Sequence, residues 1–443
     1  MFCRELIKCY PYLPRLLHNA CFVHIVRQYT TRAATSSAHV NQVEDQSNAE
    51  AKIRIFDAHF LRDACSCSLC VGTSTGQKSF STAHLSPLTK ISNVESNSNF
   101  KQESFKVTWK PDGHISTYSE KFLNRYETPA QIYQARWKFD REPVYWNRQT
   151  LKQSLVTKTF DEYMNDDKHF KDLLMSLYSN GLAFIKDVPE GEKHNGEIAV
   201  EKIAKRIGYI KETFYGRSWN VVSGDQAKNI AYTSVVLPLH MDLLYYESPP
   251  GIQLLHCIVN NAEGGESVYV DSFRAAYLIL QRDPAAFDIL TKFPITFQYC
   301  NDGQHYTYTR PLIDIDQNYS KFDHAMPEQL IKNVNYSPPF QAPFEHGIWS
   351  SEAATDDLEL SKFLHAFRQF EKILNDPVEQ YEEKFKPGIC ALFMNRRVLH
   401  SRREFNFPNR SQSAEKYRWL KGTYLDIDSF YSKLRIISGR CGL

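Results

Sequence analysis

The feature that most restricts how this chain can fold is the tripeptide His240-Met241-Asp242. It is the only place in the sequence where an acidic residue follows a histidine by two positions. On an extended strand, residues two apart point to the same side, so His240 and Asp242 can face one common point. One distant histidine would complete a facial set of two imidazoles and one carboxylate, which leaves positions open on a bound Fe(II) ion. The alternative is a surface histidine that happens to precede a surface aspartate.

His400 is the candidate for the distant histidine, and it ends the apolar run ALFMNRRVL, which is typical of a strand. Both parts of the proposed set then lie at strand ends, where side chains converge at the mouth of a jelly roll. Arg418 follows eighteen residues later within an aromatic strand. A guanidinium inside a barrel needs an anion, because an unpaired buried charge is costly. The far carboxylate of 2-oxoglutarate would suit it, and a salt bridge to Asp426 or Glu404 is the alternative.

The region from residue 150 to 443 has the pattern of a mainly β domain with flanking helices. Short β-prone runs separated by turn residues favour a sandwich or barrel, and they include IQLLHCIV, SVYVD, HYTYTRPLIDI and YRWLKGTYLDI. Apolar residues at helical spacing predict helices over 167–179, 199–207 and 356–375.

A second candidate metal site lies nearer the N-terminus, within a predicted unit over residues 52–125. Three cysteines, Cys65, Cys67 and Cys70, fall within six residues of a chain that has ten in all. A unit of this size with few apolar residues is marginal alone and needs a further constraint. Thiolates on a tight loop suit a tetrahedral Zn²⁺ ion, and His114, after a Pro-Asp-Gly turn, is the best-placed fourth ligand.

The cysteine cluster has other interpretations. His59 and His84 are substitutes for His114 as the fourth ligand. A redox-active pair of thiols, or three ordinary cysteines, are the alternatives to zinc.

The first 40 residues differ in composition from the rest. They contain five basic residues and one acidic residue, Glu5, and residues 29–37 are rich in hydroxyl and small side chains. This composition predicts a mitochondrial transit peptide over residues 1–40, and hence the mitochondrial matrix, with the cytoplasm as the alternative location. A secretory signal and a disordered tail without a targeting function are the competing interpretations. The net charge of +2 gives no basic field for nucleic acid, and no apolar run approaches the roughly 18 residues of a membrane span.

An aromatic set lies upstream of the tripeptide. Tyr215 and Trp219 belong to the segment YGRSW, and Tyr232 closes the segment NIAY. Aromatic faces arranged around a pocket bind quaternary ammonium groups. Ordinary core packing is the alternative for these residues.

Together these segments resemble the family of gamma-butyrobetaine and trimethyllysine dioxygenases, which are TauD/TfdA-like Fe(II)- and 2-oxoglutarate-dependent oxygenases. The similarity spans almost the whole chain after the leader and is carried by LRDACSCSLC, WKPDGH, TFYGRSW, NIAYT, HMD, PPGIQLLHC, GGESVYVD, NRRVLHSRR and YRWLKGTY. The resemblance implies a small zinc-binding N-terminal β domain and a catalytic double-stranded β-helix, or jelly roll. It also implies the cofactors Fe(II), 2-oxoglutarate and O2, structural zinc, ascorbate as reductant, and a homodimer.

The resemblance assigns roles to individual positions. Iron binding is implied for His240, Asp242 and His400, and 2-oxoglutarate binding for Arg418 and Leu255. Zinc binding is implied for Cys65, Cys67, Cys70 and His114. A cage for a trimethylammonium group is implied for Tyr215, Trp219 and Tyr232, and binding of the substrate carboxylate for Asn229 and Asn335.

Three hypotheses of function follow. The first is hydroxylation of gamma-butyrobetaine to L-carnitine, because the CxCxxC spacing and Asn229 are similar to the butyrobetaine enzymes. The second is hydroxylation of trimethyllysine, to which the leader and the YGR-x-W segment are similar, or of another small substrate by a paralogue. Leu243 bears on this choice, because the butyrobetaine enzymes have a cage tyrosine there. The third, which the motifs support least, is a non-catalytic zinc-stabilised barrel that binds a partner.

Overall fold

The computed structural model describes residues 50–99, 102–137, 139–191, 193–222, 233–316, 331–350, 358–406 and 418–439. These residues form two units, one within residues 50–137 and one from residue 139 onward. The predicted transit peptide over residues 1–40 lies outside the described residues. Within the described part of the chain, no helix has both the length and the apolar character needed to cross a membrane.

The N-terminal unit is built on a three-stranded antiparallel sheet in the order β1-β2-β3. Its elements are α1 (Ala58–Asp63), β1 (Lys90–Asn99), β2 (Gln102–Lys110), β3 (Ile115–Ser119), α2 (Glu120–Tyr126) and α3 (Pro129–Trp137). The predicted Pro-Asp-Gly turn joins β2 to β3, and Gly113 there has φ +66°, which glycine adopts without strain. Phe105, Trp109 and Tyr118 of the sheet pack with Leu61 of α1 in a small buried core.

The C-terminal unit contains the remaining elements. Its strands are β4 (Thr157–Thr159), β5 (Leu182–Lys186), β6 (Lys193–His194), β7 (Glu197–Ile198), β8 (Ser218–Val222), β9 (Leu237–His240), β10 (Ile252–Asn260), β11 (Glu263–Gly264), β12 (Ser267–Asp271), β13 (Pro294–Asn301), β14 (Gln304–Pro311), β15 (Ile313–Ile315), β16 (Ile331–Val334), β17 (Tyr381–Glu383), β18 (Cys390–Met394), β19 (Val398–Arg402), β20 (Phe405–Asn406) and β21 (Arg418–Leu425). Its helices are α4 (Arg148–Ser154), α5 (Phe160–Asn165), α6 (Asp167–Asn180), α7 (Ala199–Ile207), α8 (Ser272–Arg282), α9 (Pro284–Lys292), α10 (Leu360–Leu374) and α11 (Ile427–Ile437).

Two sheets form the centre of this unit. One has six strands in the order β4-β5-β18-β10-β21-β8, and the other has four in the order β17-β12-β19-β9. Neighbouring strands are antiparallel except for β4 and β5. Phe184 and Phe393 of the larger sheet share one buried core with Tyr269 and Val398 of the smaller sheet. The two sheets therefore pack face to face, which is the jelly-roll architecture expected from the sequence.

Helices cover the outer face of the six-stranded sheet. Apolar side chains of α6, α7 and α11 share a buried core with Ile252 and Leu254 of β10. Because side chains alternate along a strand, Gln253 and Leu255 point the other way, and they line a cavity between the two sheets. Alternate residues of β10 thus have different roles: one set packs in the core under the helices, and the other set lines the cavity.

The predicted helices are found close to their expected positions. Those over 167–179 and 199–207 correspond to α6 and α7, and α6 ends at Gly181, whose φ of +72° is left-handed. The third begins at Leu360, and residues 356 and 357 of that prediction lie outside the described chain.

Candidate active site

The cavity between the sheets brings together most of the predicted site residues. Its lining consists of Tyr215, Trp219, Val221, Leu237, His240, Asp242, Leu243, Tyr245, Gln253, Leu255, Ser267, Tyr269, Phe340, His400, Ser401, Arg402, Arg418, Leu420 and Tyr424.

The two predicted histidines of the metal set are held side by side by strand register. His240 ends β9 and lies directly opposite His400 on the neighbouring strand β19, and their ring centroids are 4.1 Å apart. Nε2 of His240 is 3.3 Å from Oδ1 of Asp242, and Nε2 of His400 is 4.0 Å from its Oδ2. One ligand atom from each of the three residues lies within 4.8 Å of the others. The structure therefore assembles the predicted set at one point.

The hydrogen bonding around these residues suits a shared cation. Nδ1 of His240 donates to the carbonyl oxygen of Pro238, 2.8 Å away, which leaves the lone pair of Nε2 directed at Asp242. Two acceptor atoms then face each other, an arrangement that a bound cation stabilises. The donor set of two imidazoles and one carboxylate fits a non-haem Fe(II) ion.

The protonation states also suit a metal. Burial acts to raise the pKa of Asp242, but a hydrogen bond from His240 and the positive charge of the two imidazoles, when these rings are protonated, outweigh it together with a hydrogen bond from Tyr424 and hold this pKa well below its usual value. Burial, together with the proximity of His240, lowers the pKa of His400 to about 3. Asp242 is therefore charged and His400 neutral near pH 7, and these are the forms that bind metals.

Two residues that the sequence analysis did not identify hold Asp242 in place. Tyr424 donates its hydroxyl to Oδ2 of Asp242 over 2.6 Å. Oδ1 of the buried Asn395 accepts from the backbone nitrogen of Asp242, and its Nδ2 donates to the carbonyl oxygens of Asp242 and Pro250, all within 3.0 Å. The side chain and the backbone of Asp242 are thus both held by residues that are distant in the sequence.

Arg418 lies in the same cavity and is almost fully buried. Burial lowers the pKa of its guanidinium to about 10. Among the described residues no ion pair joins it to Asp426 or Glu404, the two alternatives considered above, and Asp426 instead pairs with Lys211 at 2.7 Å. A buried guanidinium without an acidic partner is costly unless an anion binds to it. The geometry therefore favours a ligand carboxylate at this end of the cavity.

The surroundings of Arg418 are cationic and aromatic. Arg402 and Ser267 line the cavity with it. The ring of Phe405 lies 5.3 Å from the guanidinium carbon of Arg418 and 4.8 Å from that of Arg402. Contact of both guanidinium groups with one aromatic ring is favourable and offsets part of their mutual repulsion.

Aromatic side chains form another wall of the cavity. Trp219 and Tyr424 stack with ring centroids 4.0 Å apart, and Tyr215 lies 6.3 Å from Trp219. Tyr245 and Phe340 extend this wall and meet edge to face at 5.3 Å. Such a set of faces can receive a quaternary ammonium group.

Gly422 makes room for the stacked ring. A Cβ atom at this position would lie 2.5 Å from the Trp219 ring, a distance at which the ring would have to move. Leu243, which also lines the cavity, has φ +57°, a region that residues other than glycine rarely adopt.

Three predicted substrate residues are not placed in the cavity. Asn229 and Tyr232 lie outside the described residues. Asn335 is fully buried but does not line the cavity, because its Nδ2 donates to the carbonyl oxygen of Pro311 and its Oδ1 accepts from Arg396. The described geometry gives no support for a substrate contact by Asn335.

The cysteine cluster of the N-terminal unit also converges. Nε2 of His114 lies 3.3, 3.5 and 3.6 Å from the sulfur atoms of Cys65, Cys67 and Cys70. One N–H cannot donate to three sulfurs, whereas ligands of a tetrahedral Zn²⁺ ion lie roughly 3.5 Å apart for its usual bond lengths. His59 and His84 are not among the residues that meet there in the described chain.

Arg62 links the two halves of this cluster. Its Nη1 donates to Sγ of Cys70 at 3.5 Å and its Nη2 to Asp112 at 3.1 Å. Asp112 in turn accepts from the backbone nitrogen of His114. The cysteine loop and the turn that carries the histidine are therefore tied together by one side chain.

Comparisons with known proteins agree with this geometry. Residues 148–424 match the family model described as taurine catabolism dioxygenase TauD, TfdA family. Residues 32–124 match the model described as gamma-butyrobetaine hydroxylase-like, N-terminal.

Curated relatives cover nearly the whole chain. Dioxygenase str8 of Strobilurus tenacellus is 32% identical over 93% of this chain and 90% of its own length. Trimethyllysine dioxygenase, mitochondrial, of Mus musculus is 28% identical over 92% and 89%. Gamma-butyrobetaine dioxygenase of Pseudomonas sp. (strain AK-1) is 28% identical over 88% and 92%. The resemblance inferred from the motifs is confirmed.

Proposed function

Since this chain belongs to the TauD/TfdA family of dioxygenases, we propose that it hydroxylates a small trimethylammonium carboxylic acid, with gamma-butyrobetaine as substrate and L-carnitine as product. The coarser activity, that of a 2-oxoglutarate-dependent dioxygenase acting with Fe(II) on a small molecule, is shown by the family and the relatives. The choice of substrate is supported by the aromatic wall of the cavity, which ends beside the metal ligands.

The proposed iron ligands are His240, Asp242 and His400. The proposed partner of the far carboxylate of 2-oxoglutarate is Arg418, with Leu255 as an apolar contact. Arg418 and Tyr424 face the cavity six residues apart on β21, a separation of roughly 20 Å at 3.3 Å per residue. The long arginine side chain spans part of this distance, so a short dicarboxylate fits between the guanidinium and the metal set.

The aromatic wall is the observation that carries the substrate proposal. Trp219, Tyr424, Tyr215 and Tyr245 line the same cavity as Asp242, and Tyr424 is hydrogen-bonded to that carboxylate. A trimethylammonium group donates no conventional hydrogen bond, so its recognition relies on such faces, at about 0.5–2 kcal/mol for each contact. Tyr232 is proposed as a further member, and Asn229 as a ligand of the substrate carboxylate at the other end.

In this mechanism the protein supplies geometry. Fe(II), when bound, would supply the oxidising power with O2: one oxygen atom would enter the succinate formed from 2-oxoglutarate with release of CO2, and the other would enter the substrate C–H bond. The aromatic wall fixes the cationic end of the substrate, and a polar contact at the other end sets its direction. Two fixed ends place one carbon next to the metal, a positioning effect. None of these side chains has to transfer a proton.

Trimethyllysine is the second candidate, because several relatives bear that name. It carries an α-ammonium group that butyrobetaine lacks, and a buried ammonium group needs a carboxylate partner. Among the described residues that line the cavity, Asp242 is the only carboxylate, and it is committed to the metal set. The lack of a second carboxylate among these lining residues favours gamma-butyrobetaine as the substrate.

The test is a side-by-side assay of the purified iron-loaded enzyme. Succinate and hydroxylated product are measured with gamma-butyrobetaine and with trimethyllysine over the same range of concentrations. We expect a higher kcat/KM for gamma-butyrobetaine and one succinate formed for each product. A reversed preference would overturn the substrate proposal, and succinate formation by a His240→Ala variant at the wild-type rate would overturn the iron site.

The remaining proposals concern the rest of the protein. We propose that Cys65, Cys67, Cys70 and His114 bind a structural zinc ion. Chelation of zinc is expected to unfold the N-terminal unit, since small metal-bound units depend on the ion.

We also propose that ascorbate acts as reductant and that the protein is located in the mitochondrial matrix. Relatives are named as mitochondrial, and the composition of the leader supports this location.

A further inference from the structure

Two buried polar atoms near the proposed iron ligands have complementary hydrogen-bonding needs. They are Nδ1 of His400 and Oε1 of Gln253, and neither has a hydrogen-bond partner among the described residues. A buried polar group without a partner costs roughly 1–3 kcal/mol. Two such groups in one cavity call for a common explanation.

The imidazole of His400 needs an acceptor at Nδ1. Its Nε2 is the atom that faces Asp242, so a metal in the proposed site would be bound through Nε2 and the ring proton would reside on Nδ1. Metal-binding histidines almost always donate this second N–H to a carboxylate, a carbonyl oxygen or water. His240 meets that requirement through Pro238, whereas Nδ1 of His400 makes no hydrogen bond of regular geometry in the described chain, and its ring has only a weaker interaction with the backbone of His240.

Gln253 is placed next to the ligand set by its two neighbouring strands. On β10 it lies directly opposite Phe393 of β18 and Tyr424 of β21, and side chains in such pairs have Cβ atoms about 5 Å apart. The Phe393 ring centroid is 4.8 Å from that of His400, and Tyr424 donates to Asp242. Gln253 is 2% exposed and lines the same cavity.

Other donors with unpartnered atoms are poorly placed for Gln253. Arg418 lies opposite Asn260, seven residues from Gln253 along β10, which is roughly 23 Å at 3.3 Å per residue. The ring nitrogens of His256 are also unpartnered, but its odd separation from Gln253 puts it on the other face of the strand. His400 is the donor that shares both the cavity and the neighbouring ring.

We propose that Gln253 is a positioning residue whose amide oxygen accepts the Nδ1–H of His400, directly or through one ordered water, when the site holds its metal. The three rotatable bonds of the glutamine side chain let its amide reach along the Phe393 ring. The hydrogen bond sets the tautomer and the orientation of the imidazole, as Pro238 does for His240. This inference rests on the proposed iron site.

The test measures metal affinity, with no turnover involved. Gln253→Met keeps the length of the side chain and removes the acceptor, and Gln253→Glu restores an acceptor. Leu420→Met is the matched control, because it introduces the same side chain into the same cavity. Fe(II) dissociation constants are measured by anaerobic equilibrium dialysis without 2-oxoglutarate, and the visible spectrum of the Co(II) form reports ligand geometry.

We expect Gln253→Met to weaken Fe(II) binding by about 10- to 100-fold, the usual effect of losing such a partner, and to alter the Co(II) spectrum. Gln253→Glu should bind at least as tightly as the wild type, and Leu420→Met should match it. If Gln253→Met fails to fold, Gln253→Asn, whose acceptor is withdrawn by one carbon, replaces it and is expected to weaken binding too.

The proposal is overturned if a folded Gln253→Met variant binds Fe(II) within twofold of the wild type. It is equally overturned if only the KM for 2-oxoglutarate or substrate changes. His240→Ala separates this inference from the iron site itself. If His240→Ala loses Fe(II) binding and Gln253→Met does not, only the proposed role of Gln253 is refuted. If His240→Ala binds Fe(II) as the wild type does, the proposed iron ligands are refuted.

Discussion

Tyr424 connects the aromatic wall to a proposed metal ligand, and Tyr424→Phe separates these two functions. The hydroxyl donates to Oδ2 of Asp242 at 2.6 Å, while the ring stacks on Trp219 at 4.0 Å. The variant keeps the ring and removes only the donor. A hydrogen bond to a charged group is worth about 1.5–3 kcal/mol, and loss of such a partner costs roughly 10- to 100-fold in metal affinity.

We therefore expect Tyr424→Phe to weaken Fe(II) binding by about 10- to 100-fold and to leave the KM for the trimethylammonium substrate within about twofold. The first quantity is measured by anaerobic equilibrium dialysis, and the second by initial rates at saturating Fe(II). Tyr163→Phe is the control, because its hydroxyl donates to a backbone carbonyl in the helical core, away from the cavity. Unchanged Fe(II) affinity together with a raised substrate KM would refute the reasoning, since Tyr424 would then act only as a ring.

Further predictions address the wall, the core and the response to acid. Gly422→Ala should displace the Trp219 ring, because the new Cβ lies 2.5 Å from it, and should raise the substrate KM with unchanged Fe(II) affinity in dialysis; an unchanged KM would contradict this. Arg397→Met leaves the fully buried carboxylate of Asp271 without its partner at 2.9 Å and should cost about 3–5 kcal/mol in urea unfolding, whereas a loss below 1 kcal/mol would contradict that role. Burial lowers the pKa of His256 to about 4, so its contribution to stability is complete above pH 6.5 and is lost as the pH falls toward 4, by roughly 3 kcal/mol. His256→Leu should be less sensitive to acid over that range in thermal melts, and an unaltered pH profile would count against it.

The sequence was most informative where function depends on short spacing along the chain. The two-residue separation of His240 and Asp242 predicted that both can face one point, and the structure brings their ligand atoms together, with β9 ending at His240 and Asp242 in the turn that follows. His400 was recognisable as a polar residue at the end of an apolar run. Arg418 was identified as a candidate, but its two alternative partners could be set aside only once the surrounding side chains were known.

The residues that support the site could not be predicted in the same way. Asn395 acts across 153 residues of sequence through its contact with Asp242, and no local pattern marks such a pairing. Tyr424 lies on the cavity face of β21, and strand alternation from Arg418 identifies that face but not the hydrogen bond to Asp242. The substrate contact of Asn335 stays a prediction from the family resemblance, since its amide is bonded to Pro311 and Arg396 in this structure and no local pattern marks those partners.

The direct pairing of His240 with His400 has a mechanical consequence. β9 has four residues, and among the described strands it lies at the edge of its sheet with β19 as its one neighbour. Short edge strands fray readily. An ion bound by both imidazoles would cross-link the end of β9 to β19. Catalytic geometry and local rigidity are then acquired in one event, so loss of the metal would loosen the strand that has to recapture it.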